Sequence, residues 1–245
     1  MDNPRSRFFD HETKTGTIAL QGLDLSGTNM KGKDLTRASL VNCILCNANL
    51  HGTILIKANL TNSDLTGAIL QDAILDEACL KNSRLRDAYL WKASMQECNL
   101  QNANLENAFL EGANLQNSDV KGGILRKAKL SRANFRGAIL QGANMDGCDL
   151  TECGMQMVVL KDATLKKADL KHVDFREARL MDADFYQADL EGVSFKNAHM
   201  ERVNLAGARI KDTDFSGANL KEAIMPDGME FDPKNPGRGL MSQDF

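Results

Sequence analysis

Apolar residues recur at every fifth position along most of the chain. From Leu20 to Met225 there are 42 such central positions, and all are apolar: 29 Leu, six Met, five Phe, one Val and one Ile. The residue two places before each centre is Ala at 24 sites and Ser, Thr, Cys, Gly or Val at 15 more. No insertion or deletion shifts this frame over more than 200 residues, so a repeated unit of five residues builds the region.

A period of five matches neither an α-helix, at 3.6 residues, nor a simple strand, at 2. Two inward residues separated by one outward residue follow the alternation of a strand, and the other two residues then turn the chain. Gly or Asn occupies the second residue after the centre at 21 sites, and both residues tolerate positive φ. The pattern therefore predicts short extended steps joined by corners, with four steps closing a square coil of 20 residues.

This unit, A(D/N)LXX, resembles the pentapeptide-repeat family over residues 18–225, as Ala103–Asn107 and Ala113–Asn117 illustrate. The resemblance implies an all-β fold, a right-handed quadrilateral parallel β-helix of about 10 coils. At about 4.8 Å per coil the solenoid is roughly 50 Å long. A helical repeat is the structural alternative, but it needs periods of about 20 to 50 residues and helix caps.

Both ends of such a solenoid expose backbone groups and apolar core, so each needs a cap. We expect an N-terminal cap over residues 1–17, the β-helix over 18–225, and a C-terminal cap and mobile tail over 226–245. Phe8 and Phe9 are candidates to cover the first coil, and Phe231 or Leu240 the last coil.

Residues 20 positions apart fall on the same wall of a four-sided coil. Four of the five central Phe residues share one wall, and Met155 fills the gap in their column. The predicted core ladder consists of Phe135, Met155, Phe175, Phe195 and Phe215. Only Phe185 lies elsewhere, and core packing accounts for these rings without a ligand.

A second apolar cluster falls on outward positions, where most residues are polar. Ile69, Tyr89 and Phe109 form a column on one wall with Trp91 beside Tyr89, and the neighbouring wall adds three isoleucines. We call this cluster the apolar patch; its members are Ile54, Ile56, Ile69, Ile74, Tyr89, Trp91 and Phe109. Clustered exposed rings often mark an interface with another protein. Stabilisation of the stack alone and self-association are the alternatives.

Signatures of enzyme chemistry are missing from the sequence. It contains no nucleophile elbow, Walker loop, H-E-x-x-H or dinucleotide fingerprint, and its four His residues are scattered. Cys43 and Cys46 form a C-x-x-C, but Cys43 falls on an inward site and Cys46 on an outward one, with no second pair to complete a zinc site. We therefore expect no catalytic, metal or cofactor site. Most of the cysteines fall on inward positions, which favours a reducing compartment; a disulfide between Cys148 and Cys153 is the alternative.

The charges are nearly balanced, with 30 Lys and Arg against 33 Asp and Glu and a net charge of −3. Some pentapeptide-repeat proteins resemble B-form DNA and bind DNA gyrase through a strongly acidic face, whereas here cations are interleaved with acids on every wall. The favoured function is therefore a non-enzymatic protein-interaction scaffold or regulator with an unidentified protein partner. The alternative is a DNA-mimic modulator of gyrase, of the quinolone-resistance type, and an enzyme is the least favoured class.

Other expectations concern the setting of the protein. No run of about 18 apolar residues is present, so no membrane span is expected, and we do not expect DNA to be a partner. The start of the chain lacks the apolar stretch of a signal peptide, which favours the cytoplasm. In the family that the chain resembles, DNA-mimicking members often dimerise through a C-terminal helical cap. Residues 226–245 hold three Gly and three Pro, a poor helix composition, so we expect a monomer, with self-association as the alternative. The segment Ala223–Gly228 resembles the ends of cyanobacterial family members.

Overall fold

The computed structural model describes residues 18–234 and has the regular geometry of a four-sided solenoid. Parallel β-bridges join each outward residue to the residue 20 positions later, from Ala19↔Ser39 to Asn204↔Ile224. Each extended element is a single bridge residue, followed after its central residue by a two-residue turn, and no helix occurs in residues 18–234. The chain is thus a right-handed quadrilateral β-helix, and the predicted fold class is confirmed.

We number the walls by their central residues. Wall 1 contains Leu70 and Leu90, wall 2 Leu55 and Leu75, wall 3 Leu60 and Leu80, and wall 4 Leu45 and Leu65.

Four of the five backbone N–H groups of a repeat donate to backbone carbonyls. In the repeat around Leu70, the Leu70 N–H donates to Tyr89 O at 2.7 Å, Asp72 to Trp91 O at 3.0 Å, and Ile69 to Ala48 O at 2.9 Å. The Ala73 N–H closes the turn on Leu70 O at 3.0 Å. Because buried backbone groups must be paired, this regular pattern fixes the coil independently of most outward side chains.

The fifth N–H, on the residue after the centre, explains why Asn and Asp precede the centre at 20 sites. At every one of these sites the side-chain Oδ1 accepts a hydrogen bond from that N–H; Asp34 accepts from Thr36 at 2.9 Å and Asn104 from Glu106 at 3.0 Å. These are Asx turns, in which a side chain completes the hydrogen bonding of its own corner.

Every corner residue from position 22 to position 222 has a positive φ, whatever its identity. The φ is +71° at Gly22, but it is also +58° at Lys57 and +58° at Glu77. A β-turn with positive φ at its third residue is of type II, where Gly or Asn is preferred. The enrichment of Gly and Asn is therefore a local preference, which the stacked coils override at the other corners.

The core is a continuous column of central residues and small partners along the axis. Leu45, Leu90 and Met145 are each 0% exposed, as are the small inward residues Ala48 and Ala93. Full burial of an aliphatic side chain of this size contributes about 1.5–3 kcal/mol, so the repeat supplies its own stability at each step.

The two ends of the described chain differ from the middle. Leu23 occupies an inward site yet is 36% exposed, because no coil of residues 18–234 lies beneath it. At the other end the chain reverses after Met225: Ile224 bridges Glu230 antiparallel, and the Phe231 N–H donates to Ala223 O at 2.8 Å. Phe231 packs against the core. The predicted cap residues Phe8, Phe9 and Leu240 lie outside the described residues.

Candidate protein-interaction surface

The wall 1 column of the apolar patch is held by the backbone register. Parallel bridges join Ile69 to Tyr89 and Tyr89 to Phe109, which places the two rings one above the other. Their centroids are 5.1 Å apart and their planes are 5° from parallel. Such a pair contributes about 0.5–1.5 kcal/mol beyond its buried area.

Trp91 completes a cluster of three rings. Its indole lies 5.3 Å from the Tyr89 ring and 5.7 Å from the Phe109 ring, tilted by 56° and 61°. The three side chains point outward but are half-buried, because each ring covers part of the others. They therefore form one preassembled apolar surface.

Ile69, Ile54 and Ile74 lie on both sides of the corner between walls 1 and 2, and Ile56 lies at the corner between walls 2 and 3. Ile69 on wall 1 is 38% exposed and Ile74 on wall 2 is 36% exposed. Ile54 is bridged to Ile74, and Ile54 and Ile56 are half-buried. Ile44, which is 45% exposed, lies on wall 4 and is not a member of the patch.

The patch replaces hydrogen-bonding side chains at its outward positions. Tyr89 and Phe109 stand where Asn or Asp elsewhere accepts the N–H two residues later, and within residues 18–234 the N–H groups of Trp91 and Glu111 have no such side-chain acceptor. Tyr89 and Phe109 therefore occupy outward positions without contributing an Asx hydrogen bond.

The core ladder lies on the inner side of wall 2. Phe135, Met155, Phe175 and Phe195 are fully buried, and Phe215, near the end of the rod, is half-buried. The rings of Phe175 and Phe195 stack at 5.3 Å and 2°, and those of Phe195 and Phe215 at 5.4 Å and 17°.

Phe185, which the sequence set apart, completes the same ring cluster from the opposite wall. Its ring meets both Phe175 and Phe195 edge-on at 6.0 Å. The spacing of ten residues from each is the signal that could have identified this contact, because it places Phe185 halfway round the coil.

The cysteines are free in the described structure. Cys43 and Cys46 face opposite sides of the wall, Cys43 being buried and Cys46 half-buried, and burial raises the pKa of both thiols. Burial raises the pKa of Cys148 to about 12 and strongly raises that of Cys153. Raised pKa values keep thiols protonated and unreactive, which suits a packing role.

No group of three metal-ligating side chains comes together within residues 18–234. His172 and His199 are exposed and His51 is half-buried, and none joins a cluster of ligands in this part of the chain. Within residues 18–234, no helix has the length and apolar character needed to span a membrane.

Several solved structures match this chain. HetL, a pentapeptide repeat protein involved in heterocyst differentiation regulation from the cyanobacterium Nostoc, is 29% identical over 88% of this chain and 94% of its own, with a TM-score of 0.49. Full-length QnrB1, a plasmid-mediated fluoroquinolone resistance protein, is 18% identical over 91% of this chain and 97% of its own, with a TM-score of 0.43. A pentapeptide repeat protein from the thylakoid lumen of Arabidopsis thaliana is 29% identical over 53% of this chain and 68% of its own, with a TM-score of 0.18.

The search of curated proteins found no match. Two family models match the sequence. The model for a pentapeptide repeat region matches residues 128–205. The model for pentapeptide repeats in eight copies matches residues 20–55, 43–82, 83–122, 93–132 and 189–225. The matches cover nearly the whole solenoid, and the chain belongs to the pentapeptide-repeat family.

Proposed function

We propose that this protein is a non-enzymatic interaction scaffold that docks a protein partner on the apolar patch. The observation that carries the proposal is the ring cluster of Tyr89, Trp91 and Phe109 on the outer surface of wall 1. Tyr89 and Phe109 occupy the position at which Asn or Asp makes the Asx hydrogen bond in other repeats. The cluster is preassembled on a regular backbone, so the scaffold loses little conformational entropy when a partner binds. Aromatic residues of this kind dominate the binding energy of protein interfaces.

The proposed test uses a patch variant that respects the repeat. Tyr89→Asn and Phe109→Asn restore the residue type that accepts the corner N–H, and Trp91→Gln removes the third ring. We expect this triple variant to lose the partner recovered by affinity purification from cells of the native organism, as measured by quantitative mass spectrometry. A double variant, Ile44→Asn with Ile124→Asn, is the matched control, because these residues are exposed at the same repeat position on wall 4. Partner recovery unchanged by the triple variant contradicts the proposal.

A gyrase-directed DNA mimic is the second candidate function, and the surface charges weigh against it. On wall 1 the carboxylate of Asp189 is paired with Lys171 at 3.1 Å and with Arg209 at 3.2 Å. The Glu191 carboxylate is similarly paired with Arg209 at 2.7 Å. Paired carboxylates do not reproduce the unbroken negative charge of a phosphate backbone. A supercoiling assay with purified gyrase separates the two functions, and inhibition at micromolar protein would favour the mimic.

The setting in which the scaffold acts is part of the proposal. Six unpaired cysteines, four of them buried, are compatible with a reducing compartment, and we place the protein in the cytoplasm as a monomer. Size-exclusion chromatography with light scattering tests the monomer, and a dimer that the patch variant dissociates would instead assign the patch to self-association.

A further inference from the structure

A groove crosses the edge between walls 2 and 3 in the C-terminal half, away from the apolar patch. It consists of two adjoining hollows of about 220 Å³ and 310 Å³ that share Met157 and Glu177. Arg136 and Arg176 line the wall 2 side, and Val159 and Arg179 line the wall 3 side. We call these six residues the corner groove.

Met157 is anomalous at its position in the repeat. It is a corner residue with a φ of +59°, and it is 51% exposed. Of the corner residues between positions 22 and 222, Met157 alone is apolar, since the others are Gly, Asn or charged and polar residues. Because every corner residue from position 22 to position 222 shares the positive φ, the anomaly of Met157 is its exposed apolar side chain. A residue that breaks the local rule without a structural gain points to a role at the surface.

The cations around Met157 are only partly neutralised. Arg176 is held by Asp174, with Nη2 to Oδ2 at 2.6 Å and Nε to Oδ1 at 2.9 Å. Arg136 and Arg179 are exposed, and neither forms an ion pair with any residue between 18 and 234. Glu177 is the one acid among the residues that line the two hollows. The groove therefore combines two apolar side chains, Met157 and Val159, with Arg136 on one side and Arg179 on the other, neither of them in an ion pair within residues 18–234.

We propose that the corner groove binds an acidic segment of a partner protein, with an apolar side chain seated on Met157 and Val159 and carboxylates paired with Arg136 and Arg179. Guanidinium groups bind carboxylates through two parallel hydrogen bonds, which gives orientation as well as affinity. Nucleic acid is the less suitable occupant, because Met157 and Val159 offer an apolar contact that a peptide side chain can use and a phosphate backbone cannot. This site is independent of the apolar patch, and together the two surfaces allow one rod to hold two partners.

The test measures fluorescence anisotropy of labelled probes with the full-length protein. The first probe is a 12-residue peptide in which acidic residues (Glu or Asp) alternate with apolar residues (Leu or Phe). Two further peptides carry Lys or Ser in place of the acidic residues, and the fourth probe is a 20-base-pair DNA duplex. We expect the acidic peptide to bind about tenfold or more tightly than each of the others, with affinity falling as salt rises. Equal binding of the Ser peptide, tighter binding of the duplex, or no binding of any probe at about millimolar protein overturns the proposal.

Variants locate the binding at the groove. Met157→Asn introduces a residue preferred at positive φ, so folding is preserved, and we expect about a tenfold loss of affinity for the acidic peptide. Arg136→Ser with Arg179→Ser should lose more affinity and most of the salt dependence. The matched control is Arg37→Asn, a corner residue with φ of +60° on the same edge of the rod. Affinity that falls equally in Arg37→Asn, or that survives Met157→Asn and the double Arg variant, contradicts the site, and the patch variant should leave peptide binding unchanged.

Discussion

The two halves of the rod place their aromatic rings on opposite sides of the same backbone. In the N-terminal half the rings of Tyr89, Trp91 and Phe109 cluster outside wall 1. In the C-terminal half the clustered rings are inside, where Phe175 and Phe195 stack and Phe185 meets both from the opposite wall.

The outer surface of wall 1 changes in the same direction. Where the N-terminal half carries rings, the C-terminal half carries an ionic ladder in which Lys171 joins Asp169 at 2.9 Å and Asp189 at 3.1 Å, and Asp189 joins Arg209 at 3.2 Å. The backbone hydrogen bonds of wall 1 have nearly the same length in the two halves. The Leu70 N–H lies 2.7 Å from Tyr89 O, and the Leu190 N–H lies 2.8 Å from Arg209 O. The coil therefore keeps the same backbone hydrogen bonds whether wall 1 carries rings or ion pairs, so these outward positions can differ without changing the fold.

The largest expected effect concerns the inner rings. Phe195→Ala removes contacts with Phe175, Phe185 and Phe215 and leaves a cavity, and we expect it to lower the free energy of unfolding by about 3–5 kcal/mol. Thermal melting followed by circular dichroism measures the loss. Phe195→Leu, which installs the commonest central residue, should cost less than about 1.5 kcal/mol. Phe135→Ala is the matched control, since Phe135 has no ring contact within residues 18–234. An equal loss in the two Ala variants would show that the ring cluster adds nothing beyond burial.

A smaller effect is expected for the outer rings. Tyr89→Asn with Phe109→Asn loses ring contacts of about 0.5–1.5 kcal/mol per pair, but each Asn can accept the corner hydrogen bond made at the 20 Asn and Asp sites, worth about 1 kcal/mol. We expect a net change within about 1 kcal/mol in the free energy of unfolding. Tyr89→Ala with Phe109→Ala serves as the control, because it loses the rings and gains no acceptor. If the Asn variant is no more stable than the Ala variant, the offset by Asx turns is wrong.

The smallest effect is expected for an ion pair at a corner. The Arg202 guanidinium binds Asp182 at 2.6 Å and 2.8 Å and lowers the pKa of that carboxyl. A lowered pKa in the folded state stabilises the fold above the unfolded pKa, near 3.8, and this stabilisation is lost as the pH falls through the folded value. Because the pair is largely exposed, Asp182→Asn should cost less than about 0.5 kcal/mol at pH 7.

The measurement is the difference in urea midpoint between the Asp182→Asn variant and the unmodified protein at several pH values. The difference should shrink at about pH 3 and in about 1 M salt. Asn is well tolerated at positive φ, so the substitution tests charge alone. A difference that stays constant from pH 7 to pH 3 would show that the ion pair is not its cause.

Much of the fold could be predicted because each pentapeptide contains the inward pair and the corner residue that determine its local conformation. The predicted coil of 20 residues corresponds to the bridges from Ala19↔Ser39 onward, and the central residues predicted to face inward, such as Leu90, are buried. The candidate surface was harder to predict. The outward direction of Tyr89, Trp91 and Phe109 follows from the frame, but their mutual coverage depends on side-chain conformations that no repeat specifies.

The amino-acid sequence by itself determined the period, the inward pair, the corners and hence the four-sided coil. These features follow from local rules: strand alternation, tolerance of positive φ, and the Asx hydrogen bond from an outward side chain to its own corner. Only the tertiary structure decided how the side chains meet: Phe185 approaches the rings of the opposite wall edge-on, and Met157 lies in a groove lined by Arg136 and Arg179. These neighbours are ten or more residues apart, and their contacts exist only after the coils close and stack.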